Sequence, residues 1–147
     1  MRIVFVLLGA LNVLVRHPWH LFGRGRATYF PLERRLLSEL EESLPNEEKE
    51  VLRSQLSEIN CVERVHAPKT RIQLNKIQGI RYDLEREKKF TDPRSEYVIR
   101  KIDFCVDGKR VRSKFYVVDG NLFSVEFTAN LRKLLQSGDI EIEEVHC

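Results

Sequence analysis

Histidine and cysteine are the side chains that most readily supply a base, a nucleophile or a metal ligand, and this chain has few of them. His17 and His20 show the H-x-x-H spacing of two metal ligands, but no cysteine or carboxylate stands nearby to complete a site. Two pairs of nucleophile and base can be written: Cys61 with His66, and Cys147 with His146. Each pair lies on one local segment and lacks a third group that would orient the base. We therefore predict a protein that is not an enzyme, with no catalytic residue, no metal and no cofactor.

Glutamate is concentrated in two predicted surface regions. One group lies in a helical stretch and the other in the last predicted strand: Glu41, Glu42, Glu47, Glu48, Glu141, Glu143 and Glu144. Acidic side chains presented together suit a basic protein partner, because complementary potentials speed and orient the encounter. These residues are the predicted protein-binding site, with an ordinary solvated helix face and edge strand as the alternative interpretation.

A basic cluster on one predicted strand offers a second kind of surface. It combines four basic residues with an aromatic residue: Lys109, Arg110, Arg112, Lys114 and Tyr116. Such an array can hold phosphates while the ring stacks on a base, so nucleic-acid binding is the alternative function. Four acidic residues are close by and would cancel part of the positive field: Glu96, Asp103, Asp107 and Asp119.

Length and composition indicate one ordinary domain. A chain of 147 residues can bury roughly 68–70% of its unfolded surface without disulfides or metal. Apolar residues at 42% and charged residues at 32% exclude a disordered chain. The net charge of +3 gives little support for a polyanionic partner. The three cysteines lack a C-x-x-C pair, which indicates reduced thiols and a cytoplasmic location.

An apolar stretch at residues 3–15, interrupted only by Asn12, precedes a basic, glycine-containing connector. A helix of this length reaches about 20 Å, short of the roughly 30 Å hydrocarbon core of a bilayer. We favour a buried or partner-covered helix. The alternatives are membrane contact through residues 3–22 and a cleaved signal peptide, which would lack a small-residue cleavage site here. The chain is divided accordingly into residues 1–30, the helix and connector, and residues 31–147, a single α+β domain.

Two helices joined by a short link are predicted next. In the first helix, leucines at three- and four-residue steps form an apolar stripe: Leu36, Leu37, Leu40 and Leu44. Pro45 ends this helix. The second has its own apolar stripe: Val51, Leu52, Leu56 and Ile59. Asn46 is predicted to cap this second helix. Because the link is short, we expect an antiparallel helical hairpin.

The most regular pattern in the chain predicts a three-stranded antiparallel meander over residues 97–127. Apolar residues alternate with polar ones in three runs: Val98, Ile102, Phe104 and Val106; Val111, Phe115 and Val117; Phe123, Val125 and Phe127. Asp107-Gly108 and Asp119-Gly120 fall between the runs, where a tight hairpin turn needs positive φ. Cys105 alternates with Phe104 and Val106, and we expect it to be a small packing residue.

Weaker patterns cover the rest of the domain. We predict short strands at residues 61–66, 70–77 and 139–145, a mobile charged loop at residues 81–89, and a short helix at residues 129–136 with Leu131, Leu134 and Leu135 facing inward. Helices followed by strands indicate an α+β fold. The expected architecture is an N-terminal apolar helix and a helical hairpin packed on a mainly antiparallel β-meander, with a short C-terminal helix and a final strand.

Parts of the chain carry a resemblance. Residues 44–48 and 55–60 read Leu-Pro-Asn-Glu-Glu and Gln-Leu-Ser-Glu-Ile-Asn, and residues 115–127 read Phe-Tyr-Val-Val-Asp-Gly-Asn-Leu-Phe-Ser-Val-Glu-Phe. Through these runs the chain resembles small uncharacterised bacterial α+β proteins, some of which act as immunity partners of polymorphic or contact-dependent toxins. The resemblance implies a non-enzymatic protein that neutralises a toxin by stoichiometric contact, with a basic toxin domain as its partner. It transfers no site residue to this chain.

Overall fold

A computed structural model describes residues 27–83 and 85–147. The predicted apolar helix at residues 3–15, His17 and His20 lie outside this range. Within the described part, two helices precede seven strands: α1 (Pro31–Ser43), α2 (Asn46–Glu58), β1 (Cys61–Val65), β2 (Arg71–Gln78), β3 (Arg81–Asp83), β4 (Glu96–Val106), β5 (Lys109–Val118), β6 (Asn121–Phe127) and β7 (Ile140–His146). The predicted α+β class is confirmed.

The strands form one antiparallel sheet in the order β1-β2-β6-β5-β4-β7, with β3 paired to β2. The predicted meander is its centre, as β4, β5 and β6. Both Asp-Gly turns have positive φ at the aspartate and at the glycine, as a tight hairpin requires. Among the described strands, β7 pairs only with β4, so the last strand is at the edge of the sheet.

The two helices supply the second layer. Pro31 is the first residue of α1, and the Glu33 carboxylate accepts a hydrogen bond from the backbone N–H of Phe30 at 2.8 Å, which closes the start of the helix. α1 contacts β4 and β7, and α2 contacts β6. Asn46 does not cap α2 as predicted, because Pro45 occupies the cap position and Asn46 is already helical. Neither described helix is long and apolar enough to cross a membrane.

The core lies between these helices and the face of the sheet that they cover. Its fully buried members include leucines from both helices and aromatic residues from the meander: Leu32, Leu36, Leu40, Leu52, Phe104 and Phe115. The rings of Phe104 and Phe127 meet edge to face with their centroids 6.3 Å apart. We call this side the covered face of the sheet and the opposite side the outer face.

Two irregularities in strand pairing change which residues face the core. An extra residue in β4 between Val98 and Arg100 reverses the alternation, so Tyr97 and Ile99 are buried and Val98 is only half-buried. A second irregularity pairs Val117 with Leu122 and leaves Phe123 half-buried. The predicted inward positions of Val98 and Phe123 are therefore wrong.

The segment at residues 129–136 forms hydrogen-bonded turns and not the predicted helix. The backbone bonds here close single turns: the N–H groups of Leu134 and Leu135 donate to the Leu131 carbonyl, and that of Ser137 donates to the Leu134 carbonyl. Before these turns, Thr70 Oγ1 accepts from the N–H of Leu131, and Asn130 Oδ1 accepts from that of Arg132. Leu131 and Leu135 are buried as expected, whereas Leu134 is half-buried. The leucines thus reach the core from turns.

The charged segment that we predicted as a loop at residues 81–89 is in part a strand. Its first three residues form β3, which pairs with β2. Arg86 is 5% exposed, and its guanidinium donates hydrogen bonds to the backbone oxygens of Asp83 and Glu85 at 2.8 and 3.3 Å. The composition of the segment suggested that its charged side chains are exposed to solvent, whereas the Arg86 side chain is buried.

Candidate binding surface

The basic side chains of β5 lie on the outer face of the sheet. Arg112, Lys114 and Tyr116 face away from the core, because side chains alternate along the strand and the residues on either side of each are buried. These buried neighbours are Val111, Ser113, Phe115 and Val117. This confirms the predicted common face for these side chains. The register across β4 and β7 then sets Arg112 beside Asp103 and Asp103 beside Glu144.

Arg112 and Asp103 form a two-pronged ion pair on this outer face. The guanidinium Nε and Nη2 donate to the two carboxylate oxygens at 2.6 and 2.7 Å. His146 Nε2 lies 3.3 Å from Asp103 Oδ2, and His146 Nδ1 lies 3.5 Å from Glu144. The Arg112 hydrogen bonds, with a smaller contribution from His146, lower the pKa of Asp103 to about 2.

The acidic last strand and the basic strand are joined by a second ion pair. An irregularity in β7 makes Glu143 an extra residue between Ile142 and Glu144, and its carboxylate lies 2.8 Å from Arg110 Nε. Glu141 is exposed at the same edge. The acidic last strand and the basic strand, which we predicted as parts of separate sites for a protein and for a nucleic acid, therefore lie on one surface of mixed charge.

The remaining residues of the basic cluster also have acidic neighbours. Lys109 is exposed beside the Asp107-Gly108 turn, and Lys114 pairs across the strands with Lys101 on one side and Glu126 on the other. Burial, then Glu126 and Glu96, raise the pKa of Tyr116. Carboxylates thus reduce the positive field on which phosphate binding would depend.

The acidic residues of the helices lie in the other layer of the molecule. Glu41 is paired with Arg53 of α2 at 2.7 Å. Glu42 and Glu47 are exposed, and Glu48 is half-buried. α1 contacts β7. Glu141 and Glu144 nevertheless lie on the outer face, opposite the helices, so this contact does not bring the glutamates of the helices and of the strand onto one face of the sheet.

The described residues offer little support for the nucleophile–base pairs. Cys61 is buried, and burial together with Glu63 raises the pKa of its thiol to about 11, which disfavours the reactive thiolate. His66 Nδ1 lies 3.2 Å from the Thr70 hydroxyl, and burial lowers its pKa. Cys147 is exposed next to His146, whose ring nitrogens face Asp103 and Glu144. Within residues 27–83 and 85–147 no group of three His, Cys, Asp or Glu side chains could hold a metal ion.

Sequence reasoning missed the sites of one half-buried arginine, Arg64, and one buried arginine, Arg86. Arg64 forms a buried ion pair with Glu33, joining β1 to α1. Arg86 lies at a cavity near the start of β6. The local sequence gives no signal for either site, since Arg64 lies in a short predicted strand and Arg86 lies in a run of charged residues typical of an exposed segment.

The chain was compared with models of protein families, with curated proteins and with solved structures, and none of the three comparisons gave a match. The resemblance to toxin-immunity proteins stays a prediction.

Proposed function

We propose that this chain is a non-enzymatic protein-binding protein that docks a basic partner along its acidic edge strand, as an immunity protein does when it neutralises a bacterial toxin by contact. The observation that carries the proposal is the position of β7. It lies at the edge of the sheet and carries Glu141, Glu143 and Glu144. An edge strand presents backbone N–H and C=O groups that a partner strand can pair with.

The two sides of β7 specify the partner further. Ile142 and Val145 pair with the core residues Phe104 and Ile102, and Val145 remains 37% exposed. Glu141 and Glu144 pair with Cys105 and Asp103 on the outer face. A strand added beside β7 therefore meets alternating apolar and acidic positions, which suits an extended segment with alternating apolar and basic residues.

Charge also favours such a partner over a second copy of this chain. Two β7 strands paired with each other would bring their glutamates close together, and like charges on paired strands are destabilising. A basic segment would meet the same carboxylates with opposite charge, which speeds the encounter and sets its orientation.

The test is capture of a partner from the native host, followed by affinity measurements with the purified partner. The Glu141→Lys/Glu144→Lys variant should bind at least about tenfold more weakly, because it places two like charges against the basic segment. The control is Glu50→Lys/Glu87→Lys, which makes the same charge change at two exposed glutamates outside the sheet. On binding, the backbone amides of β7 should gain protection from hydrogen exchange.

Two results would overturn the proposal. One is an equal loss of affinity in both double variants, since the effect would then come from net charge alone. The other is capture of no protein together with measurable turnover of a nucleotide or ester.

A further inference from the structure

A surface cavity of about 270 Å³ lies between the connection from β1 to β2 and the end of β6. Its volume is close to the lower end of the roughly 300–1,000 Å³ that is typical of small-molecule pockets. Three of its apolar lining residues are exposed to solvent: Val65, Ala67 and Pro68. Three charged side chains line it as well: Lys69, Arg71 and Glu126. The cavity therefore combines an uncovered apolar wall with charges of both signs.

The wall of this cavity is held in place by the buried residue Thr70. Its N–H donates to the Ala129 carbonyl at 3.0 Å, its carbonyl accepts from the N–H of Phe127 at 3.0 Å, and its Oγ1 accepts from the N–H of Leu131 at 2.7 Å. The charged residues on either side of it are exposed. The backbone that carries these charges is thus fixed before a ligand binds, as is usual for small-molecule sites.

Arg71 and Glu126 are neighbours across β2 and β6, but they do not form a close pair. Arg71 Nη1 lies 3.9 Å from Glu126 Oε1, which is longer than a hydrogen bond. The two side chains are 47% and 43% exposed, so a molecule in the cavity can reach both. The guanidinium and the carboxylate can therefore bind an occupant that carries charges of both signs.

The charges that line the cavity disfavour an occupant with one sign of charge. A cation would be repelled by Lys69 and Arg71, and an anion would be repelled by Glu126. A zwitterion avoids both repulsions when its carboxylate lies at the two basic side chains and its ammonium group lies at Glu126.

We infer that this cavity is a binding site for a small α-amino acid with an apolar side chain. Its carboxylate accepts hydrogen bonds from Lys69 and Arg71, and its ammonium group donates to Glu126. Its side chain lies against Val65 and Pro68, which removes apolar surface from water. The site is independent of the edge strand proposed to bind a protein, because β7 lies at the other end of the strand order.

The test is an NMR titration of the intact ¹⁵N-labelled chain with leucine. The backbone amides of Ala67 and Lys69 should shift and reach saturation. Isocaproate, which lacks the ammonium group, and leucinamide, which lacks the carboxylate, should bind at least about tenfold more weakly, because each loses a charge-assisted contact. Binding of either analogue as tight as that of leucine, or shifts that never saturate, would contradict the inference.

Two variants locate the response within the molecule. Glu126→Gln removes the charge that receives the ammonium group, so the preference for leucine over isocaproate should disappear. Glu50→Gln is the control, because Glu50 makes an equally long contact of 3.9 Å with Lys88 outside the cavity, and it should leave the preference unchanged. A preference that survives Glu126→Gln, or one that is lost equally in both variants, would overturn the site.

Circular dichroism establishes that each variant is folded. If Glu126→Gln does not fold, Arg71→Gln decides the outcome in its place. It removes one of the two groups that hold the carboxylate, so it should reduce the preference for leucine over leucinamide. An unchanged preference would overturn the site.

Discussion

The ion pairs Arg64–Glu33 and Arg112–Asp103 have almost the same geometry in different surroundings. In each, the guanidinium Nε and Nη2 donate to two carboxylate oxygens at 2.6 and 2.7 Å. The Glu33 side chain of α1 is 3% exposed, and its partner Arg64 is 18% exposed. On the outer face, Asp103 is 17% exposed and its partner Arg112 is 45% exposed. Identical distances therefore need not mean equal contributions to stability, because burial determines the cost of losing one partner.

The two Asp-Gly turns repeat the contrast in the backbone. Gly108 and Gly120 have φ of 70° and 78°, and both follow an aspartate with positive φ. A Cβ added at Gly108 would meet nothing within 4 Å, whereas one at Gly120 would lie 2.8 Å from the Phe90 carbonyl oxygen. The same dipeptide is thus an open turn in one hairpin and a packed turn in the other.

The largest expected effect comes from breaking the buried ion pair. Arg64→Met leaves the Glu33 carboxylate buried without its charged partner, and it also removes the hydrogen bond to the Thr28 carbonyl and the contact with the Phe30 ring. We expect a loss of about 3–5 kcal/mol in the free energy of unfolding, measured by urea denaturation at pH 7. The double variant Glu33→Gln/Arg64→Met should recover part of the loss. A change below about 1 kcal/mol would mean that this pair behaves as a surface pair.

The two glycines sharpen the comparison at a smaller scale. Gly108→Ala should cost about 1–2 kcal/mol through positive φ alone. Gly120→Ala should cost about 1–3 kcal/mol more, since its methyl group would also overlap the Phe90 carbonyl and the Lys89 side chain. Thermal unfolding of the two variants under the same conditions measures the difference. Equal losses would show that the loop at Phe90 moves aside freely.

The smallest effect is expected on the outer face, and it depends on pH. The folded-state pKa of Asp103 is about 2, below the value of roughly 3.9 for an unfolded aspartate. The stabilisation by the ionised carboxylate is therefore present above about pH 4 and is lost as the pH falls through about 2. Asp103→Asn should cost no more than about 1 kcal/mol at pH 7.

Unfolding midpoints of the wild type and Asp103→Asn, measured as a function of pH, test this expectation. The two curves should converge in acid. A gap that stays constant down to pH 2 would assign the effect to packing.

The local sequence pattern is sufficient to predict an element when recognisable turn residues mark both of its ends. Asp107-Gly108 and Asp119-Gly120 mark where the strands of the meander begin and end, so the meander could be predicted. The extra residues that reverse the facing of Val98 and Phe123 have no comparable signature, because each depends on pairing with a neighbouring strand. Thr70 likewise acts from a distant part of the chain when it takes the N–H of Leu131.

For the candidate surface, the sequence predicts which residues of a single strand share a face, but it does not predict which strands are neighbours. Alternation places Arg112 and Tyr116 on one face, and it places Ile140 and Glu141 on opposite faces of the last strand. The Arg110–Glu143 ion pair requires β7 to lie beside β4, and no local pattern encodes that neighbour. Burial of Arg86 within a highly charged segment was unpredictable for the same reason.

One amide side chain joins three distant segments of the chain. Gln55 of α2 donates to the carbonyls of Lys88 and Gly120 and accepts from the N–H of Leu122, while the Phe90 N–H donates to the same Gly120 oxygen. The amide protons of Phe90 and Leu122 should consequently exchange with deuterium at a common rate, set by transient detachment of α2 from the sheet. Helix, loop and strand would then open as one cooperative unit, and Gln55→Leu would divide it into parts that open separately.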